Sequence, residues 1–213
     1  MHGPHNPVPF VRAIKLMKRL SLYLFLILLT LQTPSQADDI RDFQIEGMSV
    51  GDSLLDYYSK EDIESRIKNN PYYYPNSKKF VIIAFYTKNS ETFDGVHFTI
   101  KPKDKKFIIH SLKGESKNPL EECLKIKKEV IKAISTITPN AKKSNYTNDY
   151  AKAYGKSKAY INEFKLSSGL IRTWCVVWDK TNVNTNKQWN DGLNVSAGDN
   201  VYLNFLQNEA YYK

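Results

Sequence analysis

The chain has two cysteines, Cys123 and Cys175, and this pair constrains its fold more than any other feature. The first lies in "NPLEECLKIKKEVIKAISTITP", whose apolar residues recur at steps of three and four and predict an amphipathic helix capped by Asn118. The second lies in "RTWCVVWDK", which predicts a strand whose alternate side chains face opposite sides. A bridge between the thiols would require the helix to cover the Cys175 face, and would leave Trp174 and Trp178 on the opposite face.

The N-terminal segment has the layout of a signal peptide. Lys18 and Arg19 precede the uncharged stretch 20–31, and small residues stand at the −3 and −1 positions of a cut between Ala37 and Asp38. A helix of this length spans about 18 Å, which is too short for a hydrocarbon core of about 30 Å. We therefore expect cleavage near Ala37 and a periplasmic or secreted protein without a stable membrane span; a retained anchor is the alternative.

Charge and length describe the expected mature chain, residues 38–213. The leader carries four basic residues and no acidic ones, so its removal lowers the net charge from +9 to +5. This modest excess gives little support to a nucleic-acid partner, and none is expected. No linker composition divides residues 38–213, which predicts a single α+β domain. Residues 1–16 lack any usable pattern and are interpreted as a start-site artefact, with Met17 as the alternative start.

The state of the two cysteines follows from the compartment. In an oxidising compartment an even pair of cysteines is more often bridged than free, so a disulfide between Cys123 and Cys175 is the first expectation. Two alternatives stay open at this stage. The thiols could be free and buried, or one of them could be a nucleophile, which would need a base nearby.

The order of predicted elements is helices, strands, helix, strands, helix, with tight turns between consecutive strands. This order predicts an α+β fold, an antiparallel meander sheet with helices packed on one face, and two similar halves. The predicted elements are a strand at 43–45, helices near 50–58 and 60–69, a strand covered on both faces at 80–86, a hairpin over 96–109, the helix 118–137, a polar loop at 143–156, a hairpin over 158–180, a loop at 180–192 and a helix over 201–212.

Two histidines form a candidate metal or catalytic pair. If the first hairpin turns tightly at 102–105, His97 lies directly opposite His110, and Asp94 stands near as a third ligand. Protein zinc sites take three or four ligands, and no HExxH or CxxC spacing supplies the remainder. The alternative is a polar pair on the less buried face of the sheet. No cofactor is expected.

A tyrosine and lysine cluster is the candidate binding surface. In "NNPYYYPNSKK", three tyrosines lie between prolines and are followed by two lysines, and such surfaces stack on sugars, bases or partner side chains. The alternative is a loop whose tyrosines pack over the sheet edge, and core packing is likewise the first interpretation of the two tryptophans. The cluster consists of Tyr72, Tyr73, Tyr74, Lys78 and Lys79.

Two resemblances concern the ends and the layout of the chain. The stretches "IEGMSVGDSLLDYYS" and "NEAYYK" resemble a family of short exported proteins of marine alphaproteobacteria, which implies no activity and no catalytic residues. The "GMS" entry into a short helix followed by a meander is similar to BamE-type outer-membrane assembly proteins and to the β-lactamase-inhibitor-protein fold. The chain departs from that pattern because it lacks a lipid-accepting cysteine and the usual G-x-P. A fold-level likeness does not license a function.

These features favour an exported, non-enzymatic binding or interaction protein, because no catalytic constellation accompanies the leader and the tyrosine cluster. A small envelope hydrolase or metal-binding enzyme that uses His97 and His110 is one alternative. An accessory protein of outer-membrane assembly is another. The expected partner is an envelope protein or a small ligand that the sequence does not identify.

The leader and the cysteines together make one prediction. The intact mass of the protein recovered from the periplasmic fraction should correspond to a chain that begins at Asp38, and its thiols should alkylate only after reduction. A membrane-bound chain that keeps its leader, or thiols that alkylate without a reductant, would contradict the prediction.

Overall fold

The structure, a computed structural model, describes residues 39–86, 92–181 and 189–211, so the predicted leader lies outside the described residues. Three short 3₁₀ turns, at Ile40–Asp42, Leu54–Asp56 and Lys152–Tyr154, accompany the regular elements. The helices are α1 (Lys60–Asn69), α2 (Leu120–Ile137) and α3 (Asn200–Asn208). The strands are β1 (Gln44–Ile45), β2 (Met48–Ser49), β3 (Tyr72–Tyr74), β4 (Ser77–Tyr86), β5 (Gly95–Ile100), β6 (Ser111–Lys117), β7 (Lys142–Asp149), β8 (Lys158–Lys165), β9 (Gly169–Val177) and β10 (Gly192–Asp199).

Eight of these strands form one antiparallel sheet in the order β3-β4-β5-β6-β10-β9-β8-β7. The first half consists of α1 and the meander β3 to β6, and the second half consists of α2 and the meander β7 to β10. The last strands of the two meanders, β6 and β10, pair at the centre of the sheet. The predicted α+β class, the antiparallel meander and the two similar halves are therefore confirmed.

The two faces of the sheet are covered differently. On the covered face, α1 packs against β4 and α2 packs against β9 and β10, above core residues such as Val81 and Leu112. On the other face, which we call the open face, α3 places Phe205 against Phe80 and Tyr74, with ring centroids 4.8 and 5.1 Å apart. The prediction that the helices pack on one face is thus corrected for α3, because the apolar run in β4 needs cover on both sides, as its sequence predicted.

The disulfide between Cys123 and Cys175 joins α2 to β9, with the two Cα atoms 5.9 Å apart. Both cysteines are fully buried, so the helix lies on the Cys175 face as the bridge requires. Lys127, on the same side of the helix, donates a hydrogen bond of 2.8 Å to the Tyr160 carbonyl. The helix cap differs from the prediction, because the N-cap is Pro119.

The predicted register of the first hairpin is wrong. In the structure, His97 pairs with Lys113, and Phe98 with Leu112, so His97 does not lie opposite His110. The main chain of His110 instead donates to the Thr99 carbonyl at 2.9 Å. The pairing is shifted by three residues from the predicted one.

The shift arises because residues 101–110 do not form a tight turn. The Asp104 carboxylate accepts hydrogen bonds from the N–H groups of Lys106 and Ile108, which widens the connection. The backbone around Ile109 then pairs with another segment, since Gly51 donates to the Ile109 carbonyl and Ile109 donates to the Asp52 carbonyl. The segment around Gly51 and Asp52 therefore forms the hydrogen bonds with Ile109 that the prediction assigned to the hairpin.

Apart from β6, which lies beyond the predicted hairpin because of the shifted register, the strands β2, β3, β7 and β10 lie in segments where the sequence predicted loops or no strand. All eight residues of β7 are exposed, so this edge strand has no apolar alternation to indicate it. In β10 the residues Leu193, Val195 and Ala197 face the core and alternate with Asn194 and Ser196, so this strand had a signal that the prediction overlooked. The helix predicted near 50–58 is reduced to the 3₁₀ turn at Leu54–Asp56. No helix in the described part of the chain is long and apolar enough to cross a membrane.

Removal of the disulfide is expected to destabilise the fold. The double variant Cys123→Ala/Cys175→Ala should lower the free energy of unfolding by about 4 kcal/mol, because the unfolded chain loses the constraint of a closed loop. Urea unfolding checks the magnitude. Full reduction should bring the parent protein to the stability of the variant and leave the variant unchanged; a parent protein that is equally stable in its reduced and oxidised forms would contradict the prediction.

Candidate ligand-binding cleft

The open face carries polar and aromatic side chains where α3 does not cover it. Across the central strands, Glu115 in β6, Asn194 in β10 and Trp174 in β9 occupy one row, because Asn194 pairs with both of the others. Neighbouring strands lie about 4.8 Å apart, so the row extends over about 10 Å. It spans the junction between the two halves of the sheet.

An aromatic cluster forms a wall at one end of this row. The ring centroids of Trp178 and Trp189 lie 4.3 Å apart, and Tyr150 lies 4.8 Å from Trp178. Tyr154 stacks on Trp189 at 5.3 Å. Antiparallel pairing of β9 with β10 brings Trp189, in the connection between them, back beside Trp178 at the end of β9.

The row and the wall enclose a cavity of about 670 Å³. All three tryptophans of the chain line it. We call this cavity the tryptophan cleft; the residues that matter for its chemistry are Tyr86, Asp94, Lys113, Glu115, Lys117, Tyr150, Trp174, Trp178, Trp189, Asp191 and Asn194.

Hydrogen bonds fix the aromatic wall. The Asp191 carboxylate accepts a hydrogen bond of 2.9 Å from the backbone N–H of Trp178 and forms an ion pair of 3.0 Å with Lys180. The Lys180 ammonium also donates to the Trp189 carbonyl at 3.0 Å, so one side chain holds both sides of the connection. Ser157, which is 1% exposed, accepts from the Asp179 N–H at 2.9 Å and ties the segment behind the wall to the end of β9.

A charged group lies at the other end of the row. The Glu115 carboxylate forms an ion pair of 2.8 Å with Lys113 and lies 3.2 Å from Nε2 of His97. That nitrogen is buried and makes no hydrogen bond among the described residues, so the contact is close without being aligned. Burial raises the pKa of Glu115, but the adjacent His97 and Lys113 lower it by more than burial raises it. The pKa therefore falls to about 2. Glu115 is therefore held as an ion.

A second cavity of about 270 Å³ continues along the open face toward α3. It shares Lys113 and Trp174 with the tryptophan cleft. Tyr202 and Leu206 of α3 form its far side. The two cavities are therefore neighbours on the open face.

The structure places the predicted tyrosine and lysine cluster elsewhere, at the edge of the sheet. Tyr74 is buried against α3, and its hydroxyl contacts that of Tyr202. Tyr73 packs against the core, and the Lys79 ammonium pairs with Glu209 at 2.7 Å. The tyrosines thus pack over the sheet edge, as the alternative interpretation held, and Tyr72, at 56% exposure, is the one of the three that faces solvent. The binding role of this cluster stays a prediction.

Each of the two histidines has its own carboxylate. The Nδ1 atom of His110 lies 2.6 Å from the Asp199 carboxylate, while His97 lies beside Glu115. Asp94, the predicted third ligand, accepts a hydrogen bond of 2.7 Å from the Lys117 N–H. Among the described residues, no group of three or more histidine, cysteine, aspartate or glutamate side chains is arranged to hold a metal ion.

Sequence reasoning placed Trp174 and Trp178 on the face opposite Cys175, and the structure confirms that placement. It missed Trp189 and Asn194, because neither belongs to the cleft until β10 is recognised as a strand beside β9. A usable signal was present, since all three tryptophans lie within residues 174–189. Three aromatic residues of this size around one connection are more than a solvated loop requires.

Comparisons with known proteins leave the function to be argued from the site itself. No family model, curated protein or solved structure matches the chain. The resemblances noted in the sequence therefore stay predictions.

The pKa of Glu115 gives a pH prediction. Its value in the folded protein, about 2, is below the ordinary 4.5, so the ionised carboxylate stabilises the fold above pH 4.5 and this contribution is lost as the pH falls toward 2. Glu115→Gln should lower the free energy of unfolding by roughly 1 kcal/mol at pH 7, the upper end for a partly exposed ion pair. The difference from the parent protein should shrink between pH 4.5 and pH 2 in urea unfolding.

Glu121→Gln is the matched control, because its carboxylate is 87% exposed and pairs with Lys125 on the surface of α2. Its effect should stay within about 0.5 kcal/mol at every pH. A stability difference for Glu115→Gln that is constant from neutral to acid pH would contradict the assignment.

Proposed function

We propose that this protein is a non-enzymatic binding protein whose ligand site is the tryptophan cleft. The observation that carries the proposal is that all three tryptophans line one open cavity of about 670 Å³. That volume falls within the range of about 300–1,000 Å³ that is typical of small-ligand sites. Large aromatic surfaces left accessible in a cavity, with polar groups among them, favour a binding site over core packing.

The electrostatics of the cleft favour binding over proton transfer. A general acid or base works best with a pKa near the operating pH, whereas the pKa of Glu115 is about 2. The carboxylates of Asp94 and Asp191 accept backbone hydrogen bonds at 2.7 and 2.9 Å. Glu115 therefore acts as a fixed ion, and Asp94 and Asp191 use their carboxylates to hold the backbone beside the proposed site.

The proposal includes export. The disulfide between Cys123 and Cys175 is compatible with an oxidising compartment, and the leader layout has the same implication. A periplasmic or secreted protein meets small molecules released from the envelope and its surroundings. A binding cleft suits that setting.

The indole N–H signals of the three tryptophans test the site directly. A ¹⁵N-labelled sample should give one signal per indole, and addition of separate mixtures of neutral oligosaccharides, dipeptides and nucleosides should shift these signals for at least one mixture. The variant Trp178→Ala should weaken binding of the active compound at least about tenfold, as for a central aromatic contact.

Tyr72→Ala is the matched control, because it removes an exposed aromatic residue of the alternative surface at the sheet edge. It should leave the affinity unchanged. Indole signals that no mixture shifts, or an affinity that falls for Tyr72→Ala and not for Trp178→Ala, would overturn the proposal.

A further inference from the structure

The acidic groups of the tryptophan cleft already have partners. Glu115 pairs with Lys113 at 2.8 Å, and Asp191 pairs with Lys180 at 3.0 Å. Asp94 accepts from a backbone N–H at 2.7 Å. An ionic ligand would have to compete with these contacts, and the three carboxylates are balanced by Lys113, Lys117 and, from outside the lining, Lys180.

The cleft also carries neutral polar groups that a ligand can reach. The side-chain amide of Asn194 lines the floor of the cleft, where the residue is 8% exposed, and no side chain among the described residues bonds to it. Trp174, Trp178 and Trp189 also line the cleft, and each has an indole N–H that can donate to a ligand. A ligand with hydroxyl groups can bond to this amide and to the indole N–H groups in place of water.

The aromatic rings give the cleft flat apolar surfaces on two sides. Trp178 and Trp189 meet at an interplanar angle of 69° and form a corner. Tyr86 lies across the cleft at 66% exposure, with its ring edge over Gly95, where a Cβ atom would come within 2.9 Å of the ring. Glycine at this position lets the tyrosine lie against the sheet and present its other side. Rings of this kind pack against ligand surfaces that carry C–H groups.

We infer that the tryptophan cleft binds an uncharged oligosaccharide built of pyranose rings; this inference rests on the proposed function. A pyranose ring has apolar C–H faces and a rim of hydroxyl groups, and the cleft offers aromatic faces together with neutral donors and an amide. The second cavity, reached past Trp174, gives room for further sugar units along the open face. Asn194 and the indole N–H groups offer hydrogen bonds to hydroxyls, and the balance of charges around the cleft favours an uncharged sugar.

Isothermal titration and the indole signals test the ligand class with defined probes. The probes are neutral hexasaccharides with α- and β-linked glucose, galactose, mannose and N-acetylglucosamine, together with oligogalacturonate, oligomeric glucosamine, tyrosine-containing dipeptides and nucleosides. At least one neutral hexasaccharide is expected to bind and to shift the indole signals. The charged oligosaccharides should bind at least about tenfold more weakly than the neutral probe.

Two variants test whether the neutral polar groups of the cleft bind the sugar. Asn194→Ala should weaken binding of the neutral probe roughly five- to tenfold, the effect of one hydrogen bond in a buried site. Trp174→Phe keeps an aromatic ring and removes the indole N–H. It therefore tests the loss of one hydrogen bond even if Asn194→Ala impairs folding. Asn148→Ala, on the exposed edge strand β7, is the matched control and should leave the affinity unchanged.

The outcomes separate this inference from the proposed function. Binding of dipeptides, nucleosides or only charged oligosaccharides at the indoles would overturn the saccharide inference and leave the binding function standing. Neutral sugar binding that is unaffected by both variants would also overturn it. Indole signals that none of the probes shifts would overturn both.

Discussion

The pairing of β6 with β10 is the interaction on which the rest of the structure depends. It joins two four-stranded meanders into one sheet and aligns their open faces. Glu115 comes from the first half, while Asn194 and Trp174 come from the second, so the floor of the cleft exists only because these strands meet in this register. A slip of one residue would turn every side chain of β10 to the opposite face and would bury Asn194 beneath α2.

The cover on the two faces explains why the cleft lies where it does. The disulfide fixes α2 on the Cys175 face, so that helix cannot cover the tryptophans. The C-terminal helix α3 reaches the open face, but its apolar contacts with Phe80 and Tyr74 hold it at one end. The centre of the open face therefore carries polar and aromatic side chains, and the positive and negative charges around it balance.

Elements with a strong local signal could be predicted from the sequence. The three-and-four spacing in α2, the apolar alternation of β8 and β9, and the two faces of β9 all follow from short-range patterns. The strand β7 could not be predicted, because it is wholly exposed, whereas β10 carries the apolar and polar alternation of a half-buried strand and was overlooked. The register of the histidine hairpin failed for a related reason, since Asp104 and the segment around Gly51 take hydrogen bonds that no local pattern shows. The sequence predicted the correct face for Trp174 and Trp178 but did not indicate that Trp189 belongs to the same site.

The disulfide has both of its ends in the second half of the chain, in α2 and β9. Oxidation therefore cross-links two elements of the same half and places no covalent constraint on the other half. A second half that has folded before its neighbour presents β10 as an unpaired edge, and an open edge of this kind invites another strand. Because β6 and β10 are the equivalent strands of two similar meanders, the first half completes its own sheet by occupying that edge. A second copy of β10 would compete for the same place, which makes exchange between molecules the characteristic hazard of this architecture.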